Sequence, residues 1–365
     1  MILQCIPKEK FTKGFIEFSN DAFKDVELLF AVYGEKEEDG YEPSLEKNVI
    51  TFGSPADMLE SAQFKVFAES AKGIIVNWVN YRLVNGLKSW KDKVWLLFWG
   101  GDLYPYLRYD FRSPRQCIRR AILIRALRSY KGVISISEAD KRRLVSLGAR
   151  ADAILEGAIC GITREEAIRG SRKVDLILRA PKPSNPYRVV LGNSATRTNR
   201  HREAIRALSK FRQENLEVYV PLSYGDTSYA LEVAEYGKAN LGDRFIPLFS
   251  YMSQAEYKEL LATMSVGIFN NDRQQAMGNI SLLMRYGAKV YIARDNPVRD
   301  EYLSMGASLH YVDEIKHADF GEFIHYEYES QQSNSRIWSP IETHKRAETK
   351  WTDIYQKIIS FSKSR

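Results

Sequence analysis

Three strand-to-helix junctions gather small and polar residues of the kind that handle phosphates, sugars and protons. In residues 95–106, WLLFWGGDLYPY, an apolar run passes into Gly100 and Gly101 and then Asp102. Paired glycines let a backbone turn sharply and approach a ligand closely. A carboxylate at such a strand end suits a general base for a hydroxyl, and it equally suits a cap for the turn or the next helix. In residues 189–208, VVLGNSATRTNRHREAIRAL, a strand ends in Gly192, Asn193 and Ser194 and a helix begins near Asn199. Small residues and free amides at a helix N-terminus form an anion site, to which Arg197 and Arg200 add charge. Ordinary capping by Ser and Asn is the simpler alternative. In residues 266–293, VGIFNNDRQQAMGNISLLMRYGAKVYIA, a strand delivers Asn270, Asn271, Asp272, Arg273, Gln274 and Gln275 together, and Gly278, Asn279, Ile280 and Ser281 open the next helix. So dense a polar loop suits a sugar and a diphosphate, with Arg273 forking onto phosphate. A merely solvated loop would not need glycine and small residues at the helix start.

A fourth feature is basic. Residues 111–137 contain Arg112, Arg115, Arg119, Arg120, Arg125, Arg128 and Lys131 and no acid. Ile118, Ile122, Leu123, Ala126, Leu127 and Tyr130 are interleaved at helical spacing, but Arg119 falls inside the apolar face. That is not the pattern of a helix lying in a membrane surface. It fits either a packing helix with an arginine-rich exposed side, or contact with an acidic membrane or a lipid diphosphate.

Other chemistries lack their residues. No GxGxxG follows a strand, and no GxxxxGK[ST], HExxH, GxSxG or Asp-x-Asp occurs. Nothing calls for a nicotinamide, a flavin, another cofactor or a metal, so a nucleotide diphosphate here would be neutralised by Arg, Lys and helix dipoles. His201, His310, His317, His325 and His344 show no ligand spacing and read as surface or packing residues.

The elements that must position these residues alternate. Apolar runs at 2–6, 26–33, 49–52, 74–79, 94–99 and 133–136 read as strands, with helical stretches such as 11–23, 56–71 and 114–130 between them. Strands that are apolar on both sides suit a buried parallel sheet, and repeated strand–helix units imply an α/β fold. The stretch 179–187, RAPKPSNPY, with three prolines, reads as an interdomain linker. The pattern then restarts, with strands at 189–191, 216–221, 245–249, 266–269, 289–293 and 309–312 and a capping box at Ser253 and Glu256. Residues 326–335, YEYESQQSNS, read as a loop, and 343–362 as a helix. This gives an N-terminal Rossmann-like domain over 1–180, a second over 187–340 and a C-terminal helix over 341–365 that could pack back on the first domain. Two such halves would leave a cleft, and ligands of open parallel sheets bind beyond the strands' carboxyl ends.

Composition sets outer bounds. The chain has 365 residues, of which 44% are hydrophobic and 27% charged, which argues against disorder, collagen-like repeats or a disulfide scaffold. Cys5, Cys117 and Cys160 are odd in number and far apart, as expected of a reducing cytoplasm. No apolar run suggests a secretory signal or a transmembrane helix, so a soluble or peripheral protein is expected. The net charge of +7 favours anionic partners. Residues 103–150 hold 12 basic and 3 acidic side chains, so the surplus is local and follows Asp102 directly.

Taken together, the blocks FWGGDLY (98–104), VVLGNSATRTNRH (189–201), VPLSYG (220–225) and RQQAMGNISLLMRYGAKVYIARDNP (273–297) resemble the TDP-N-acetylfucosamine:lipid II N-acetylfucosaminyltransferase family, glycosyltransferase family 56. The resemblance implies a GT-B architecture of two Rossmann-like domains facing a cleft, the nucleotide sugar in the C-terminal one and the acceptor in the N-terminal one. It implies metal-independent transfer, without a cofactor, to a polyprenyl-diphosphate-linked saccharide at the cytoplasmic face of the inner membrane, as in enterobacterial common antigen synthesis. The partners would be a nucleotide diphosphate sugar, that acceptor and an anionic membrane surface, and not nucleic acid. On this reading Gly192, Asn193, Ser194, Arg197, Tyr224, Asn270, Arg273, Gln274, Gln275, Gly278, Asn279 and Ser281 are donor-site candidates. Asp102 becomes the candidate catalytic base. Tyr104, Arg112, Arg115, Arg119 and Arg120 are acceptor- or membrane-facing candidates. A sugar-nucleotide epimerase or hydrolase, and a basic non-enzymatic binding module, are the alternatives.

Overall fold

A computed structural model describes residues 1–9, 11–34, 46–99, 102–103, 113–179 and 185–363. The chain divides into two compact units, Met1–Ile168 with Thr343–Arg365, and Arg169–Glu342.

The first unit holds β1 (Ile2–Pro7), β2 (Leu28–Tyr33), β3 (Val49–Phe52), β4 (Gly73–Asn77), β5 (Val94–Phe98), β6 (Gly132–Ser135) and β7 (Ile154–Glu156), paired in parallel in the order β3-β2-β1-β4-β5-β6-β7. Side chains alternate across a strand, so an apolar run supplies both faces at once. Leu3, Cys5, Ile74, Val76, Leu96 and Phe98 enter the core on one face. Ile2, Ile6, Ile75, Trp95 and Leu97 enter the core on the other. That second core is closed by helix Pro340–Lys363, whose Trp351, Tyr355 and Ile358 recur at helical spacing and are buried. The one polar side chain on β1's buried run, Gln4, is satisfied there by donating to the Tyr355 hydroxyl at 2.8 Å.

The second unit holds β8 (Tyr187–Leu191), β9 (Leu216–Pro221), β10 (Phe245–Leu248), β11 (Val266–Phe269), β12 (Lys289–Ile292) and β13 (His310–Tyr311), all parallel, in the order β10-β9-β8-β11-β12-β13. Val189, Leu191, Val218, Val220 and Ile268 pack on one face. Val190, Phe269, Val290 and Ile292 pack on the other, against Ile280, Leu283 and Met284 of helix Met277–Arg285. In both sheets the chain winds outward one way and then the other. The winding reverses between β1 and β4 in the first sheet and between β8 and β11 in the second. Those reversals are the switch points at which open α/β sheets hold ligands.

Two local expectations change. Residues 326–335 are not a loop: they fall largely within helix Tyr328–Ile337. Polar partners rather than an apolar stripe hold it, for buried Ser335 donates to the Arg285 carbonyl at 2.7 Å and Asn334 to the Ser308 carbonyl at 2.8 Å. The helical stretch 56–71 is two helices, Pro55–Glu60 and Ala62–Ser70, because Ser61 leaves the helical conformation and caps the second by accepting from the Phe64 amide. The capping box at Ser253 and Glu256 is formed.

Candidate functional site

In the second unit the loops leaving β8, β9 and β11 are tied into one polar surface at the switch point. β8 runs into Gly192, whose φ of +70° and neighbour exclude a side chain: a Cβ there would stand 2.7 Å from His201 Nε2. Beyond it, the buried Asn199 amide donates to the Ser194 carbonyl and to Thr196 Oγ1, each at 2.9 Å, and so knits the loop from within. The hydroxyls of Ser194, Thr196 and Thr198 follow one another at 3.1 Å spacing. Thr198 then donates to Gln275 Oε1 at 2.6 Å, and Arg273 Nε donates to Thr198 at 3.3 Å. Gln275 Nε2 donates to Asn193 Oδ1 at 3.1 Å, and Asn193 Nδ2 donates to the Tyr224 hydroxyl at 2.9 Å. Arg273, Thr198, Gln275, Asn193 and Tyr224 thus form one chain across three adjacent strand ends.

Tyr224 is fixed from its backbone side. Its carbonyl accepts from the Ala195 amide at 2.8 Å, and the Asp226 amide donates to the Ala195 carbonyl at 2.9 Å. Gly225 makes this docking possible: its φ is +115°, and a Cβ would stand 2.5 Å from the Ala195 oxygen. The Tyr224 ring remains 58% exposed, so it is available to a ligand.

Helix Met277–Arg285 starts beside this chain. Ala276 precedes it in the left-handed region, and no side chain caps its first turn. A Cβ on Gly278 would meet nothing within 4 Å, so the surface beside the first turn is open. Uncapped amides carry the positive end of the helix dipole and receive anions. Asn279 Nδ2 donates to the Tyr257 hydroxyl at 2.8 Å. Burial, with Tyr224 nearby, raises the Tyr257 phenol well above its ordinary value, so it stays protonated.

The remaining donor-site candidates have partners within the protein. Ser281 donates to the Met277 carbonyl at 2.8 Å within its own helix. Gln274 reaches Met277 Sδ at 2.9 Å, and Asn270 donates to Glu203 at 3.2 Å. Arg197 pairs with Glu232 at 3.0 Å and lies over the Tyr229 ring. Arg200 clamps two loops by donating to the Asn270 carbonyl at 2.8 Å and to Asp295 at 2.9 Å. His201 is buried, bonds the Tyr229 hydroxyl at 3.2 Å and is lowered to about 4 by desolvation, so it is a neutral packing residue at physiological pH. Thr198 and Tyr257 are the residues that sequence reasoning missed. The alternation Ser194, Thr196, Thr198 was the available signal for the first, and no local signal marks the second.

In the first unit Asp102 lies at the carboxyl end of the sheet and is 6% exposed. Its Oδ2 accepts the Val79 amide at 2.7 Å and its Oδ1 the Trp99 amide at 2.9 Å, so one carboxyl holds the turns that leave β4 and β5. Desolvation nevertheless raises it to about 7, with Asp140 adding in the same direction. A carboxyl titrating near neutrality is suited to proton transfer. Around it Trp78 is held at φ +59°, and Phe11 stacks on Trp99 at 6.2 Å. Gly100, Gly101, Tyr104 and Arg112 lie outside the described residues. Arg115 and Arg119 are exposed on helix Pro114–Ser129, with Arg119 4.6 Å from the centre of the Tyr81 ring, and Arg120 is half-buried. Among the described residues no cluster of three or more His, Cys, Asp or Glu could hold a metal ion. Among them, too, no helix is long and apolar enough to cross a membrane.

Residues 170–323 match the model of the 4-alpha-L-fucosyltransferase glycosyl transferase group 56. The match lies within the second unit, which is similar to this group, and the chain is a glycosyltransferase. Solved structures similar to it include a glycosyltransferase from Rickettsia africae, at TM-score 0.65 and 15% identity over 98% of each chain. Another is Anabaena HepE in complex with UDP, at TM-score 0.62 and 13% identity over 100% of each chain. A third is a UDP-forming trehalose-phosphate synthase from Burkholderia xenovorans, at TM-score 0.61 and 12% identity over 98% of each chain. These likenesses establish the fold, which is GT-B, with two parallel-sheet α/β units.

Proposed function

We propose that the protein moves an N-acetylfucosamine-like sugar from a dTDP-linked donor to a polyprenyl-diphosphate-linked saccharide, in bacterial surface polysaccharide synthesis of the enterobacterial common antigen kind. The enzyme works from the cytoplasmic side, peripheral on the inner membrane. The observation that carries the donor half is the chain Arg273–Thr198–Gln275–Asn193–Tyr224 beside the uncapped amides of helix Met277–Arg285. In this reading the diphosphate lies on those amides with Arg273 against it. Charge that develops on the leaving group is met by donors already in place, without a metal. Asn193, Gln275, Asn279 and the Tyr224 ring bind the rest of the donor. HepE, a structure of similar fold, contains UDP, which supports a nucleotide diphosphate as the ligand class.

Asp102 is the base that takes the proton of the acceptor hydroxyl as it attacks the anomeric carbon. Its value near 7 supports the role, since a base of that strength is half ionised at working pH. The test is product analysis with a dTDP-sugar in the presence and absence of a lipid-linked or soluble acceptor. Transfer product that requires the acceptor is expected. Free sugar or an epimerised nucleotide sugar as the main product, with or without acceptor, would replace transfer by hydrolysis or epimerisation.

A further inference from the structure

We propose that a groove on the first unit takes the hydrocarbon and phosphate of an anionic bilayer lipid. The proposal deepens the reading above, on whose membrane-bound acceptor its purpose rests. The groove runs between helix Tyr81–Gly86, with the turn Lys88–Lys93 after it, and helix Pro114–Ser129, and encloses about 510 Å³. Its origin lies in the sequence of the second helix. Leu123, Ala126 and Leu127 turn inward to the core, while Ile118, Ile122, Ala126 and Ser129 recur on the adjoining stripe. Ala126 and Ser129 are too small to fill the space against Val84. The Tyr130 hydroxyl donates to the Val84 carbonyl and pins the two walls together beneath. The result is an apolar floor that opens outward at Ile118, whose side chain is 60% exposed.

The rim is cationic. Lys88, Lys91 and Arg125 line the groove, and none of the three takes an ion-pair partner among the described residues. The helix carries five arginines and no acid. Exposed cations that the protein leaves unpaired beside an apolar floor match an amphiphile with a negative head and a hydrocarbon tail. A polyanion such as nucleic acid would use the cations and leave the floor idle.

Flotation with phosphatidylcholine vesicles, with and without phosphatidylglycerol, tests this. The full-length protein is expected to float with the anionic vesicles only, and to be released by high salt. Reversing Lys88, Lys91 and Arg125 to Glu together should weaken partitioning roughly 100-fold or more, since each cation near an anionic surface contributes about fivefold. Ala121→Trp fills the groove from an exposed position and leaves every charge in place; it should weaken partitioning roughly tenfold through displaced hydrocarbon. Unchanged flotation of the folded triple variant overturns the proposal. So does equal binding to neutral vesicles, or binding of a single-stranded oligonucleotide in preference to either. Arg273→Ala should float like the wild type. Vesicle binding without any sugar transfer would strike the functional reading and leave the groove standing, so the two failures are told apart.

Discussion

Asp102→Asn separates the two roles open to this carboxyl. Burial raises Asp102 from its ordinary 3.8 to about 7, although the Val79 and Trp99 amides pull the other way. The folded chain therefore keeps a proton that the unfolded chain has released. Between about pH 4 and 7 the unfolded state binds fewer protons, and stability falls as pH rises. The full change corresponds to about 4 kcal/mol, present below pH 4 and lost by pH 7. Asparagine cannot ionise, so the variant lacks this slope. Its side-chain NH2 also faces one of the two backbone N–H groups, which costs about 1–3 kcal/mol at every pH. The variant should thus trail the wild type near pH 4 and overtake it by pH 8. Denaturant titration followed by tryptophan fluorescence reads the right unit, since Trp78, Trp90, Trp95, Trp99 and Trp351 lie in the first unit and only Trp338 in the second. If Asp102 is the base, kcat/KM of the wild type also rises through a limb near pH 7. Stability curves that run parallel from pH 5 to 8 would refute the raised carboxyl and with it the argument for a base.

Other substitutions probe the scaffold around the site. Gly225→Ala forces a Cβ against the Ala195 oxygen in a left-handed backbone; it should lower stability by about 1–3 kcal/mol and weaken donor binding through a displaced Tyr224, both readable by calorimetry. Gln275→Ala removes the link between Thr198 and Asn193; donor Kd should rise about tenfold while Tm stays within a few degrees, and an unchanged Kd would remove Gln275 from the site. Trp351→Ala opens a cavity in the first unit and should cost about 3–5 kcal/mol in denaturant titration, with nucleotide binding by the second unit retained.

The architecture was readable because nearly every strand is buried on both faces: runs such as Ile74, Ile75 and Val76 carry no polar interruption, and the turns between runs are marked by glycine and polar residues. β7 escaped because three residues make too short a run. Helix Tyr328–Ile337 escaped because its partners, the Ser308 and Arg285 carbonyls, lie far away in sequence and reward polar residues. The candidate site was readable in its loops and not in its wiring. Asn193, Arg273, Gln275 and Asn279 stand out by type and place, but Tyr257 meets Asn279 only through the fold. Arg197 and Ser281 have the right type and are engaged elsewhere, by Glu232 and the Met277 carbonyl. Residue type left Asp102 between a turn cap and a base. Its two amide bonds are those of a cap, and its burial supplies the acidity of a base.

The proposed donor diphosphate lies on the first turn of helix Met277–Arg285. Calorimetric titration of dTDP and UDP into the wild type and Arg273→Ala, in the presence of a chelator, tests it most directly. A nucleoside diphosphate should bind saturably, the nucleoside alone much more weakly, and the variant about tenfold or more less tightly than the wild type. No binding of either nucleotide by the folded wild type, or equal affinity of the two proteins, would contradict it.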